Sequence, residues 1–263
     1  NIQKASMDMK YKLGVLGKGI SYSLSPEIHN SFSIQSNIDI EYKIYDIEKD
    51  SLSFIENFFK NGGHGLNITQ PFKEEVGKFY NEPPSNILYK GDNKIKADSV
   101  DAEGLCTDLS KKNIKVNPDT RILLLGLGGA GISIINSSIF GKCNFVVWNR
   151  SKNKYKSIQR DFLEFKNNYD KKIDLVISCV SEMNNEISEI ILNTTFQEFA
   201  HIYDINYRNE TNTHYKNISL KKNVSFNSGE GMLVEQAALS WGRWFGDIPD
   251  TSDVKARIEN GRL

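Results

Sequence analysis

Three polar stretches in the first hundred residues and one glycine-rich turn after residue 125 hold side chains of the types that chemistry needs. Ser23 and Ser25 stand in S-Y-S-L-S-P-E-I-H at 21–29. Ser25 before Pro26 is the pattern of an N-cap with proline at the first helical position. Ser23 has no such duty, and two hydroxyls beside a helix N-terminus suit a substrate carboxylate. For Ser25, capping alone is the simpler local reading. In G-L-N-I-T-Q-P-F-K at 65–73 a strand ends, Thr69 or Gln70 caps, Pro71 opens a helix and Lys73 falls in its first turn. A cation there opposes the helix dipole. The residues leave two readings of Lys73: an exposed side chain turned away, or one held in a cleft where it exchanges a proton. Asp101 lies in D-S-V-D-A-E-G at 98–104, between the two halves of the chain. On its own it reads as a turn residue.

R-I-L-L-L-G-L-G-G-A-G at 121–131 sets Gly126, Gly128 and Gly131 in G-x-G-x-x-G, with Gly129 and Ala130 between them, after one expected strand and before an expected helix. The first glycine permits the tight turn, the second lets backbone approach a pyrophosphate, and the third lets helix and strand pack closely. A dinucleotide is favoured over a merely glycine-rich turn because the helix N-terminus behind offers free N–H groups to that anion. An NAD site usually ends its next strand with a carboxylate on the ribose. Here that strand runs into Asn149, Arg150 and Ser151, and residues 142–160 hold six basic and no acidic side chains. Arg150 suits bidentate binding of a 2′-phosphate and Lys154 adds a point charge, which favours NADP. Lys152, Lys156 and Arg160 read as a solvated helix face.

Composition narrows the rest. The 263 residues carry 33 basic and 33 acidic side chains, a formal balance of zero. That removes the main electrostatic drive towards nucleic acid or an anionic membrane. Cys106, Cys143 and Cys179 are odd in number and lack C-x-x-C spacing, and the four histidines form no ligand pair, so neither a disulfide framework nor a metal is expected. A reducing cytoplasm is the expected setting, and Asn1–Lys10 shows no apolar core of a secretory signal. Residues 122–141 are uncharged, yet five glycines and three serines make them a poor lipid-facing helix. The expected partner is a small molecule, and monomer and homodimer both stay open.

The elements that must position these side chains alternate in type, which argues for parallel sheets built from βαβ units. Strands are expected at 12–16, 41–45, 64–68, 87–89, 95–97, 122–125, 144–148, 174–179 and 201–205. Helices are expected at 26–35, 51–60, from 71, at 130–140, 152–165 and 232–245. A chain of this length tends to split into two domains.

Taken together and in order, the motifs resemble shikimate dehydrogenase. They are S-Y-S-L-S-P-E-I-H, G-L-N-I-T-Q-P-F-K, G-L-G-G-A at 126–130, N-R-S at 149–151, D-x-x-Y at 204–207 and G-E-G-M-L-V-E-Q-A-A at 229–238. The resemblance implies an α/β protein of two domains, the first of them discontinuous in sequence. A substrate-binding domain would span 1–102 and 236–263, and a Rossmann-type NADP-binding domain 103–235. The implied reaction is reversible reduction of 3-dehydroshikimate to shikimate with NADPH, in aromatic amino-acid biosynthesis. It further implies that Ser23 and Ser25 bind the substrate carboxylate with Tyr207 nearby, and that Thr69, Asn86, Asp101 and Gln236 bind ring hydroxyls or the keto oxygen. Lys73 and Asp101 resemble the catalytic pair, and Gly229 and Met232 the nicotinamide pocket. The chain departs from the family at Ser99-Val100 before Asp101, at Pro83-Pro84-Ser85 before Asn86, at Ser178–Ser181, and in lacking a proline after Tyr207. Alternatives are a quinate/shikimate dehydrogenase with broader substrate or cofactor use, or a catalytically silent NADP-binding sensor. Retention of both Lys73 and Asp101 argues against the sensor.

Overall fold

The computed structural model describes residues 10–167, 169–207 and 210–261. The opening stretch read for a secretory signal lies outside these residues apart from Lys10. By their contacts, the described residues up to Val100 and those from Val234 onward form one compact unit, and Asp101–Leu233 form a second.

The first unit opens with β1 (Tyr11–Gly17), α1 (Ser25–Ser36), β2 (Ile40–Asp46), α2 (Ser51–Lys60), β3 (Gly63–Ile68), α3 (Lys73–Phe79), β4 (Ile87–Gly91) and β5 (Lys94–Asp98). Its sheet runs β2-β1-β3-β4-β5. The first three strands are parallel, as alternation predicts, but β4 and β5 are antiparallel to their neighbours. The reason is local. Only Asp92 and Asn93 join β4 to β5, both with positive φ (50° and 60°), and a two-residue turn of that kind closes a hairpin and leaves no room for a crossover. On α2, Ser51, Ile55 and Phe59 recur at i, i+4, i+8 and are buried. Ile55 and Phe59 join Leu16, Leu66, Ile68 and Val76 in one core, where each large side chain contributes roughly 1.5–3 kcal/mol. Two helix starts differ from expectation. Ser25 is the first helical residue, Leu24 precedes it, and no side chain caps α1. α3 begins at Lys73, not Pro71, with Phe72 before it and again no side-chain cap, so neither Thr69 nor Gln70 serves as one.

The second unit holds α4 (Asp101–Lys111), β6 (Arg121–Leu125), α5 (Gly129–Asn136), β7 (Asn144–Trp148), β8 (Leu163–Glu164), β9 (Ile173–Ser178), α6 (Asn185–Asn193), β10 (Phe196–Asp204), α7 (Glu210–Lys222) and β11 (Ser225–Asn227). It takes in the first residues of α8 (Glu230–Phe245), whose remainder belongs to the first unit with α9 (Ser252–Glu259). All six strands are parallel, in the order β11-β10-β9-β6-β7-β8. This is the doubly wound nucleotide-binding order, and the order in which strands are added reverses between β6 and β9, where ligands of such sheets sit. Strand β6 is apolar on both faces because both are covered. Ile122 and Leu124 face a core with Leu105, Ile134 and Phe140, while Leu123 and Leu125 face one with Ile187, Ile191 and Tyr215.

The helix expected at 152–165 does not form. A 3-10 turn occupies Lys152–Ser157 and the chain then extends into β8. Arg160 accounts for much of this. Its guanidinium donates to the carbonyls of Phe140 (2.6 Å), Gly141 (2.8 Å) and Cys143 (2.9 Å), and Asn136 Oδ1 accepts from the Gln159 amide. Arg160 is therefore a tie between segments and not part of a solvated face, and Lys152 is paired with Glu164 at 2.5 Å. The helix expected at 130–140 also divides, because extended Ser137 ends α5 and caps a short 3-10 turn through its hydroxyl. Among the described residues, no helix is long and apolar enough to cross a membrane, and no group of His, Cys, Asp or Glu is arranged to hold a metal ion.

Candidate active site

In the first unit, sheet direction gathers the polar residues at one edge. β1 and β3 end there, and antiparallel β4 begins there. Beyond β1, Ser23 Oγ donates to Ser25 Oγ (3.1 Å) and accepts from the Ser25 amide (3.3 Å), which puts two hydroxyls at the start of α1. The loop that carries them is held by Asp46, whose carboxylate accepts from the amides of Gly19 and Ile20 at 2.8 and 2.9 Å. Beyond β3, the Thr69 amide donates to the Leu16 carbonyl, and the Phe72 amide to the Thr69 carbonyl, just before half-buried Lys73. The Lys73 carbonyl in turn accepts from the Ser85 amide, which brings the Pro83-Pro84-Ser85 segment back to the same edge.

Asn86 is 4% exposed at the start of β4. Its Nδ2 donates to Gln236 Oε1 (3.2 Å) and its Oδ1 accepts from the Val100 amide (2.9 Å). Two residues expected to share a role are thus joined, despite the altered sequence before Asn86. Behind them stands Asn67, to which the sequence reading gave no role. Its Oδ1 accepts from Tyr42 (2.8 Å), and its Nδ2 donates to Ser240 Oγ (2.8 Å) and to the Asn86 carbonyl (3.4 Å). The available signal was a polar residue between buried Leu66 and Ile68. His29, from the same motif as Ser23, is 1% exposed and stacks on Tyr42 at 4.4 Å, with Trp244 at 5.2 Å. Burial pushes its pKa down to about 3, against the smaller, opposite effect of Asn67. Neither ring nitrogen has a partner of full hydrogen-bond geometry. His29 is a neutral core ring.

In the second unit the glycine turn has the form a dinucleotide phosphate needs. Gly126 takes φ +94°, a conformation L side chains rarely adopt. A Cβ on Gly131 would meet the Gly126 carbonyl at 2.1 Å, whereas nothing lies within 4 Å of the corresponding position on Gly128. Close packing is required at the one and open approach is available at the other. No side chain caps the α5 N-terminus at Gly129 and Ala130, so its dipole end can receive an anion. Asn149 braces the turn. Its Oδ1 accepts from the Leu127 amide (2.8 Å) and its Nδ2 donates to the Ser151 carbonyl (2.7 Å). Arg150 beside it is exposed, and Lys154 is half-buried. Further along, the Gly229 amide donates to the Asn206 carbonyl (2.9 Å), beside half-buried Tyr207. Met232 is 4% exposed. Asp101, buried, is the first residue of α4. The residues present fit a dinucleotide with an additional phosphate.

The chain is similar to known proteins. Residues 15–86 match the shikimate dehydrogenase substrate binding domain and residues 229–259 the shikimate 5′-dehydrogenase C-terminal domain. The NADP(+) shikimate dehydrogenase of Buchnera aphidicola subsp. Cinara cedri is 32% identical over 266 residues, covering 92% of this chain and 93% of the relative. That of Legionella pneumophila (strain Lens) is 30% identical, covering 96% and 100%. Among solved structures, shikimate 5-dehydrogenase of Thermus thermophilus, in complex with NADP(H) and shikimate, superposes with a TM-score of 0.79 at 20% identity, covering 95% of this chain and 99% of that one.

Proposed function

The chain belongs to the shikimate dehydrogenase family, and we propose that it catalyses the reversible NADPH-dependent reduction of 3-dehydroshikimate to shikimate, a step of aromatic amino-acid biosynthesis. The observation that carries this reading is the polar edge of the first unit. Paired hydroxyls at Ser23 and Ser25, then Thr69 and Lys73, then the Asn86–Gln236 pair all follow or precede strands β1, β3 and β4 at that edge.

In this reading Ser23 and Ser25 donate to the substrate carboxylate, with Tyr207 beside it, and Thr69, Asn86, Asp101 and Gln236 hold the ring oxygens. NADPH supplies the hydride that adds to the carbonyl carbon. Lys73 gives its ammonium proton to the carbonyl oxygen, so the ketone becomes an alcohol and the neutral amine regains a proton from water. Asp101 orients the lysine and the oxygen it serves. Positioned acid catalysis of this kind supplies roughly 10²–10⁴-fold in rate, and alignment of the reactants much of the rest. Gly126, Gly128, Gly129 and Ala130 hold the pyrophosphate, Asn149 and Ser151 support the ribose, Arg150 and Lys154 take the 2′-phosphate, and Gly229 and Met232 line the nicotinamide pocket. The test is initial-rate oxidation of shikimate and of quinate, each with NADP⁺ and with NAD⁺. Fastest turnover with shikimate and NADP⁺ is expected. A preference for quinate would reassign the substrate, and no turnover with any pair would defeat the reading.

A further inference from the structure

We propose that Tyr203 and Asp108 are positioning residues that fix the Gly229–Met232 turn, and through it the nicotinamide side of the cofactor site; the cofactor part of this rests on the function proposed above. Tyr203, near the end of β10, is fully buried, and its hydroxyl faces two ways. It donates to Asp108 Oδ2 at 2.7 Å and accepts from the Met232 amide at 3.3 Å. That amide is among the N–H groups at the start of α8, which have no acceptor within their own helix. Asp108, on α4, is also fully buried and pairs with Lys112 at 3.0 Å. A Cβ on Gly231 would lie 2.0 Å from Asp108 Oδ1, so the carboxylate comes up against the backbone of the first turn of α8, and only glycine leaves it space. A buried anion there is favoured by the helix dipole. Burial and the Asp108 charge hold the Tyr203 phenol well above its usual pKa, so it stays protonated and donates throughout the neutral range. The far end of the turn is fixed separately. The Gly229 amide donates to the Asn206 carbonyl, and a Cβ on Gly229 would meet the Ile205 carbonyl at 2.0 Å.

A phenylalanine at 203 would fill the same space without a buried polar pair, and a buried charge is costly unless it is fully partnered. What the hydroxyl and carboxylate add is a defined place for the Met232 backbone. Hydride transfer is sensitive to such placement, since a shift of about 1 Å can cost on the order of 10²-fold in rate. Binding of the adenosine end should not depend on it, because the glycine turn, Arg150 and Lys154 lie on other elements.

The experiment compares wild type, Tyr203→Phe and Asp108→Asn by steady-state kinetics with shikimate and NADP⁺. It adds affinity for 2′-phospho-ADP-ribose, which lacks nicotinamide, and amide hydrogen exchange at Met232 in the cofactor-free protein. In Tyr203→Phe, kcat should fall roughly 10- to 100-fold and the Met232 amide should exchange roughly tenfold faster, while affinity for 2′-phospho-ADP-ribose stays at the wild-type value. Unchanged kcat and exchange in a folded variant would overturn the proposal. So would a loss of 2′-phospho-ADP-ribose affinity in step with kcat, or failure of both variants to fold, since each marks a general structural role. If wild type does not oxidise shikimate, the functional reading fails by itself, and Met232 exchange in Tyr203→Phe still decides whether the pair fixes the turn.

Discussion

Replacing His29 by phenylalanine should remove a defined part of the acid sensitivity of the first unit. The ring is buried among Tyr42, Trp241 and Trp244, and burial lowers its pKa from 6.5 to about 3. The unfolded chain therefore binds this proton at a pH where the folded chain refuses it. Stability from this group is complete above 6.5 and is lost progressively as pH falls from there towards 3. At about pH 5 the gap to the unfolded value is about 1.5 units, which at 1.36 kcal/mol per unit is about 2 kcal/mol. Phenylalanine keeps the stacking surface and has no proton to gain. The assay is urea unfolding at about pH 7.5 and about pH 5, followed by tryptophan fluorescence in a Trp148→Phe background, so that Trp241 and Trp244 of the first unit report alone. Wild type should lose about 2 kcal/mol more than His29→Phe between the two pH values. Equal losses would show that His29 is not a neutral core ring, and the reasoning from burial would fail with it.

Two further outcomes concern the second unit. Arg150→Asp should weaken NADP⁺ by roughly 10- to 100-fold, the range for a charge-assisted pair, and leave NAD⁺ nearly unchanged; the ratio of the two KM values measures it, and an equal loss for both cofactors would rule out a 2′-phosphate contact. Arg160→Ala removes hydrogen bonds to the backbone carbonyls of Ile135, Phe140, Gly141 and Cys143 and a cation over the Phe145 ring at 4.9 Å. A loss of roughly 2–4 kcal/mol is expected in unfolding followed through Trp148, with little change if the side chain were merely solvated.

How much of this was legible in the sequence depended on the range of the interaction. The central strands and the glycine turn were readable, because apolar runs and G-x-G-x-x-G are local signals, and α2 falls where periodicity placed it. The role of Arg160 is not legible because the carbonyls it binds lie 17–25 residues away, and no local pattern announces them. The β4–β5 hairpin was announced by Asp92-Asn93, a turn pair passed over in favour of regular alternation. Helix α6 was not among the expected elements, although Asn184, whose side chain accepts from the Ile187 amide, is a local cap signal for it. Lys73 and Gln236 drew attention by type and by resemblance, but the residues behind them did not. Asp46, Asn67, Asp108 and Tyr203 act on partners distant in sequence, and only folding reveals which polar side chains face inward.

In the proposed reaction Lys73 takes up the hydroxyl proton as shikimate is oxidised with NADP⁺. The direct measurement is the initial rate of NADPH formation by wild type and Lys73→Ala at saturating shikimate and NADP⁺, with affinity for 2′-phospho-ADP-ribose measured on both. In the variant kcat should be lower by roughly 10²–10⁴-fold, with the same affinity for 2′-phospho-ADP-ribose. Equal rates in the two proteins would contradict that role of Lys73.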